Sequence, residues 1–230
     1  AASDVYKRQV TIVPEGAPPM QIALAVQVRD FAIPKTSHLK VIYDFREGFT
    51  TWFGGDRTPR EERLKKWYDL MADHRVCPGI LPSPKFTHRD GKYAMDTADF
   101  DWAAEYCLDK LGMNVFYTPW FFYSFGWAHK PRKLFGFEPF TPEHTEAYTT
   151  CLKLYLDHLR KKGWLDKVIL YVSDEPHFRH EHIREQMIEV IAVIKSAWPE
   201  ARIYSSTWRH CPEWDGHLTV WGVGQYGCFP

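Results

Sequence analysis

Hydrophobic and polar positions alternate over Met20–Arg29 (MQIALAVQVR), the period of a half-buried strand. Pro18 and Pro19 precede this stretch, and Phe31–Pro34 (FAIP) leaves it as an extended exit. From Leu39 the pattern changes to short apolar runs separated by stretches of helical period. Leu39–Phe45 (LKVIYDF) predicts a first buried strand. Pro59–His74 predicts a helix, with Pro and acidic residues at its start and Leu64, Trp67, Leu70 and Met71 at helical spacing. Cys77–Leu81 is a weak second strand, and Asp99–Leu111 a helix stopped by Gly112. Asn114–Thr118 is the third strand. A long helix begins at Thr141 with Pro142 in its first position, runs to Lys162 and stops at Gly163. Lys167–Ser173 (KVILYVS) is the fourth strand, Glu181–Trp198 a helix ended by Pro199, Ala201–Ser206 the fifth strand and His217–Gly222 the sixth.

Regular alternation of strand and helix implies an α/β fold with a parallel sheet. Six units in about 190 residues fit most of a (β/α)8 TIM barrel, which typically takes roughly 250. A doubly wound sheet would bring a Gly-rich nucleotide turn after the first strand. The loop there (REGFTTWFGGDRTP) holds Gly54 and Gly55 without either phosphate-binding pattern. The chain therefore reads as the last strand of a β-sandwich domain, a linker and an incomplete barrel. Residues 1–9 contain SDVYKRQ, which resembles a translated sequencing-adapter scar and is set aside from the fold. Residues 10–36 carry the end of the sandwich, and 37–230 the barrel. Both ends look cut, and a barrel with unpaired strand edges is expected to be marginal or prone to aggregate.

Composition narrows the function. Lys+Arg and Asp+Glu both number 29 in 230 residues, so no basic footprint points to nucleic acid. No apolar run is long enough to span a bilayer. Five scattered cysteines without a CxxC spacing support neither a zinc ribbon nor a disulfide framework, and buried free thiols are expected. Aromatic residues are 16% of the chain, ten of them Trp, more than a core of this size needs. They cluster after strands: Phe49, Trp52 and Phe53 after the first, Trp120, Phe121, Phe122, Tyr123 and Trp127 after the third, Trp208 after the fifth and Tyr226 after the sixth. In a barrel the active site forms at the carboxyl ends of the strands, so this asymmetry predicts an aromatic mouth able to stack sugars.

The sharpest chemical signal is Tyr171–Pro176 (YVSDEP), where Asp174 and Glu175 lie just past an apolar strand. Where the pleat relaxes, both carboxylates can lean into the mouth, with Pro176 biasing Glu175 towards extended geometry. Neighbouring like charges raise one pKa, so one carboxyl can carry a proton while the other stays ionised. Acid-assisted glycosidic cleavage asks for that pair. As a dipeptide, Asp-Glu is also a common surface turn; its position among aromatic loops favours the catalytic reading. The run His177, His180, His182 lacks a third ligand group nearby and reads as a solvent-facing helix start, so no metal site is expected. Ser173 lacks the GxSxG elbow of a serine hydrolase.

Three stretches together resemble glycoside hydrolase family 123, the bacterial β-N-acetylgalactosaminidases: VPEGAPPMQIALAVQVRDFAIP, GGDRTPREERLKKWYDLMADHRV and ILYVSDEPH. The resemblance implies a β-sandwich followed by a (β/α)8 barrel, and substrate-assisted retaining catalysis without a cofactor. The substrate's 2-acetamido oxygen would attack the anomeric carbon to give an oxazolinium. Asp174 would orient the acetamido N–H, and Glu175 would protonate the leaving oxygen and then activate water. The implied partner is a glycan or glycolipid carrying N-acetylgalactosamine, and the implied location is secreted, periplasmic or at the cell surface. The resemblance does not single out the rings that hold the sugar; by position the candidates are Trp208, Tyr117, Trp120, Trp52 and Tyr123. Two other readings remain open. One is a retaining β-glycosidase with Asn-Glu-Pro after strand four, which would use Glu175 as acid/base and a nucleophile beyond residue 230; here Asp174 replaces the Asn. The other is a non-catalytic carbohydrate-binding barrel.

Overall fold

A computed structural model describes residues 4–34, 36–51 and 58–224, leaving aside the side chains of residues 4, 49 and 51. The chain divides into two compact units, Ala1–Lys35 and Thr36–Pro230. In the first, β1 (Asp4–Ile12) pairs antiparallel with β2 (Met20–Val28), in register from Asp4↔Val28 to Ile12↔Met20. Residues 4–9, set aside on sequence grounds, thus form most of a strand. The alternation of β2 predicts one buried face, but every residue of β2 is exposed, Ile22 at 50% and Leu24 at 45%. Among the described residues this sheet has two strands, and a two-stranded ribbon by itself buries neither face.

The second unit is mixed α/β. Its elements are β3 (Ile42–Tyr43), α1 (Arg60–Asp73), β4 (Cys77–Pro78), β5 (Lys85–Arg89), β6 (Lys92–Asp96) and α2 (Ala98–Ala104). They continue as β7 (Phe116–Tyr117), β8 (Phe125–Gly126), α3 (Pro142–Lys162), β9 (Val168–Asp174), α4 (Glu181–Ala197), β10 (Ile203–Thr207) and β11 (Val220–Val223). Strands β7, β9, β10 and β11 form one parallel sheet in sequence order, with β8 also pairing with β9. Strands β3 and β4 form a parallel pair. The Tyr117 N–H donates to Gly79 O at 2.6 Å, which carries the hydrogen-bonded order from the end of β4 to β7.

The helix ends follow the chemistry legible in the sequence. Thr141 Oγ1 accepts from the His144 N–H at 3.3 Å, capping α3, and Gly163 ends that helix at φ +75°. Strand β9 is the spine of the core, with Val168, Leu170 and Val172 fully buried beneath Leu152, Leu156 and Leu159 of α3 and Ile183, Met187 and Ile191 of α4. Two features depart from the sequence reading. Helix α2 passes into a π-helical turn over Glu105–Lys110, and β5 and β6 form an antiparallel hairpin turned by Asp90 at φ +51° and Gly91 at φ +69°. That hairpin props the loop after β7, since Phe86 packs on Phe121 with ring centroids 4.3 Å apart. Cys77, Cys107, Cys151 and Cys211 are buried free thiols, as expected, while Cys228 lies outside the described residues. Among the described residues no helix is long and apolar enough to cross a membrane.

Candidate active site

Two neighbouring parallel strands meet at Asp174, and a bulge decides which side chains face each other. Tyr171 sits opposite Tyr204, but Ser173 sits opposite Ser205 and Asp174 opposite Ser206. Strand β9 therefore carries one residue, Val172, more than β10. In a regular strand, residues three apart point to opposite faces. The extra residue reverses that, bringing Tyr171 and Asp174 to one face. Tyr171 Oη donates to Asp174 Oδ1 at 2.9 Å. Ser206 Oγ donates to the same oxygen. Among the described residues Oδ2 accepts from no group, so Asp174 is fixed through one oxygen and presents the other.

Glu175 is in the left-handed region at φ +43°. This corrects the expectation that Pro176 holds it extended. Several hydrogen bonds override the pre-proline preference. The Glu175 N–H donates to Ser206 O at 2.9 Å and lies 3.2 Å from Ser206 Oγ. The Trp127 N–H donates to Asp174 O at 3.0 Å, and the His177 N–H returns to Trp127 O at 2.9 Å. Trp127, itself at φ +53°, also donates its indole Nε1–H to Glu175 Oε2 at 3.3 Å. Holding a non-glycine residue in this region costs about 1–3 kcal/mol, and such strain collects at functional sites. Both carboxylates thus reach the strand end by a bulge and a turn rather than by a relaxed pleat.

An aromatic cluster stands beside Asp174. Tyr117 and Tyr204 stack with centroids 5.1 Å apart at 16°. Tyr171 lies 4.9 Å from Tyr117 and 5.0 Å from Tyr204. The edge of β9 is paired first by β7 and then by β8, so the chain between them is free to loop out. That excursion carries Trp120 and Tyr123, 4.9 Å apart, to 6.1 and 5.4 Å from Tyr171. Close packing requires small neighbours: a Cβ on Gly126 would lie 2.6 Å from Tyr123 Oη, and one on Gly222 would collide with the Tyr204 ring and hydroxyl. Arg46, held at 2.8 Å by Asp44, lies 5.9 Å from the Trp120 ring centroid.

Burial sets the protonation of these hydroxyls. It pushes Tyr117 and Tyr171 well above the ordinary phenol range, and Tyr123 up to about 12, with the Asp174 charge adding to the effect at Tyr171 and Tyr123. All three stay neutral donors at any working pH. The bond to Asp44 raises the Arg46 guanidinium.

Of the rings expected to hold substrate, Tyr117, Trp120 and Tyr123 gather around Tyr171. Trp208 stands apart from them, 52% exposed and 5.6 Å from the His177 ring. Trp52 lies outside the described residues, as do Phe53 and Tyr226. The sequence reading missed Tyr171, Tyr204 and Ser206. Their one signal was the spacing of Tyr204 and Ser206, which share a face of β10. Past Glu175 a hollow of about 460 Å³ opens between Pro176–His180 and Trp208–Arg209. Among the described residues no group of three or more His, Cys, Asp or Glu side chains is placed to hold a metal ion.

A family model described as "Glycoside hydrolase 123, catalytic domain" matches residues 85–211. The match spans more than half of the chain, from β5 to just past β10, and includes Tyr117, Trp120, Tyr123, Tyr171, Asp174, Glu175, Tyr204 and Ser206. No curated protein matches the chain.

Proposed function

The chain belongs to glycoside hydrolase family 123 and is a glycosidase acting on a glycan, and on that footing we propose that it cleaves terminal β-linked N-acetylgalactosamine by substrate-assisted retention. The observation that carries this reading is the asymmetric fixing of Asp174. Tyr171 and Ser206 both donate to Oδ1, while Oδ2 accepts from no group among the described residues. A carboxylate held in this way accepts an N–H in one fixed direction. It orients the acetamido group so that its carbonyl oxygen attacks the anomeric carbon, and it stabilises the positive charge that spreads over the oxazolinium. The nucleophile is already bound, so much of the entropic barrier is removed. Glu175, steadied by the Trp127 indole, gives its proton to the leaving oxygen. It then takes a proton from the water that opens the oxazolinium, which restores the original configuration. The tyrosine cluster and Trp120 supply the apolar wall for the sugar face and the acetamide methyl. Six parallel strands following one another in hydrogen-bonded sequence order support a (β/α)8 arrangement, with this site at the carboxyl ends of its strands.

The test compares hydrolysis of an aryl β-N-acetylgalactosaminide with that of the matching aryl β-galactoside, before and after Glu175→Gln. Cleavage of the acetamido substrate alone, lost on substitution when the aryl leaving group is weakly acidic, is the expected result. Equal cleavage of both substrates would overturn neighbouring-group participation and leave a mechanism with an enzymic nucleophile. Binding of sugar without cleavage of either would favour a carbohydrate-binding role.

A further inference from the structure

We propose that the hollow next to Glu175 is a subsite for an anionic group, a sulfate ester or a sugar carboxylate, carried by the unit on the leaving side of the scissile bond. The inference rests on the functional reading above, because it uses Glu175 as the group that protonates the leaving oxygen. The hollow begins at Pro176, the residue after that acid, and the leaving side of the scissile bond is placed there. Its volume of about 460 Å³ is ample for a sugar unit with its substituent.

The lining carries two arginines. Arg179 and Arg209 bound the hollow together with His177 and His180. Among the described residues none of these four side chains is paired with a carboxylate. Of the nearby acids, Glu213 holds Arg184 at 3.1 Å and Asp215 holds His210 at 2.7 Å, while Glu181 sits in the first turn of α4. Guanidinium groups stay charged at any working pH and present forked donors suited to sulfate and carboxylate. Helix α4 starts here without a side-chain capping hydrogen bond from His180, and its positive end, offset in part by Glu181 in the first turn, faces the same region. Trp208, 52% exposed with its ring near His177, offers a flat face for the sugar ring that bears the anion. Two fixed positive charges, a sugar platform and a hollow on the leaving side together match an acidic glycan better than a neutral one.

The experiment is calorimetric titration of the full chain with free galactose, a galactose sulfate and a uronic acid, repeated with the Arg179→Gln/Arg209→Gln double variant. Both arginines are exposed, so the variant is expected to keep its fold, which its thermal transition checks. The expected result is that an anionic sugar binds about tenfold more tightly than galactose, and that the preference disappears in the double variant and fades with added salt. Tighter binding of the sulfate identifies a sulfated glycan, and tighter binding of the uronic acid identifies a carboxylated one; either supports the subsite. Equal affinity for charged and neutral sugars, or an anion preference untouched by the double substitution, would overturn it. Because the readout is binding, an enzyme that fails to cleave N-acetylgalactosaminides would sink the proposed reaction without deciding the subsite. Where cleavage is observed, the ratio of kcat/KM for β-N-acetylgalactosaminyl-galactose with and without a sulfate on the galactose should fall by a similar factor in the double variant.

Discussion

Tyr171→Phe isolates one hydrogen bond on which the proposed mechanism depends. The substitution keeps the ring, and with it the packing on Tyr117, Tyr204, Trp120 and Tyr123. It removes only the hydroxyl that donates to Asp174 Oδ1 at 2.9 Å. A hydrogen bond to a charged group contributes about 1.5–3 kcal/mol. With each 1.36 kcal/mol worth a factor of ten in rate, the bracket is roughly 10- to 150-fold. Ser206 still donates to the same oxygen, so the carboxylate is loosened rather than orphaned, and the lower end, about tenfold, is expected. For the same reason thermal stability should fall by no more than the lower end of that range, a few degrees in Tm. The loss should fall on kcat, because Asp174 does its work as the acetamido oxygen attacks. The assay is steady-state hydrolysis of aryl β-N-acetylgalactosaminides with leaving groups of graded acidity. A better leaving group needs less protonation, so it should rescue Glu175→Gln and leave the Tyr171→Phe deficit in place. Adding Ser206→Ala should deepen the deficit by a factor different from that of Ser206→Ala alone, since two donors to one oxygen do not act independently. Tyr171→Phe with kcat/KM within about twofold of the parent would refute the argument that Asp174 is held for catalysis through Oδ1.

Three further outcomes follow from the same geometry. Glu175→Gly should be inactive yet more stable than the equally inactive Glu175→Gln by about 1 kcal/mol, or roughly 2–4 °C in Tm, because glycine relieves the strain at φ +43°; equal Tm values would show the turn to be unstrained. Gly126→Ala should destabilise by about 1–3 kcal/mol and lower activity, since the new methyl meets Tyr123 Oη and lies 3.3 Å from Asp174 O; denaturant unfolding that matches the parent would contradict this packing. Tyr106 and Tyr123 both titrate near 12 in the fold, against about 10 unfolded, so the neutral hydroxyls contribute stability that is complete below about pH 10 and declines as pH rises towards 12. Unfolding free energies between about pH 8 and about pH 11 should show that decline, and a full rise of tyrosinate absorbance near pH 10 with the fold intact would refute it.

Local chemistry was legible wherever one residue decides a local geometry. Gly112 at φ +72° and Gly163 at φ +75° stop their helices, and Thr141 caps α3. What went unseen needed two segments at once. The seven-residue run LKVIYDF yields a ladder of only Ile42–Tyr43, because ladder length is set by the partner strand as well as by apolar character. The β5–β6 hairpin was missed although Asp90-Gly91 is a turn signal, since KFTHR and KYAMD have little hydrophobicity to mark them as strands.

The same distinction explains the site. Asp174 and Glu175 could be picked out as a pair, but not the way each is held. Counted along the sequence, Tyr171 is three residues from Asp174 and belongs on the opposite face. Only the mismatch of β9 against β10 makes it a ligand of Oδ1. Pro176 likewise argues for an extended Glu175, and only the bonds from Ser206 and Trp127, distant in sequence, reverse that preference. Both departures from local rules fall on the two residues proposed to do the chemistry. A regular strand end followed by an extended Glu-Pro would satisfy every local preference, yet it would point Tyr171 away from Asp174 and leave Oδ1 without one of its two donors. The bulge and the strained turn are therefore the parts of this fold whose removal should cost activity before it costs stability.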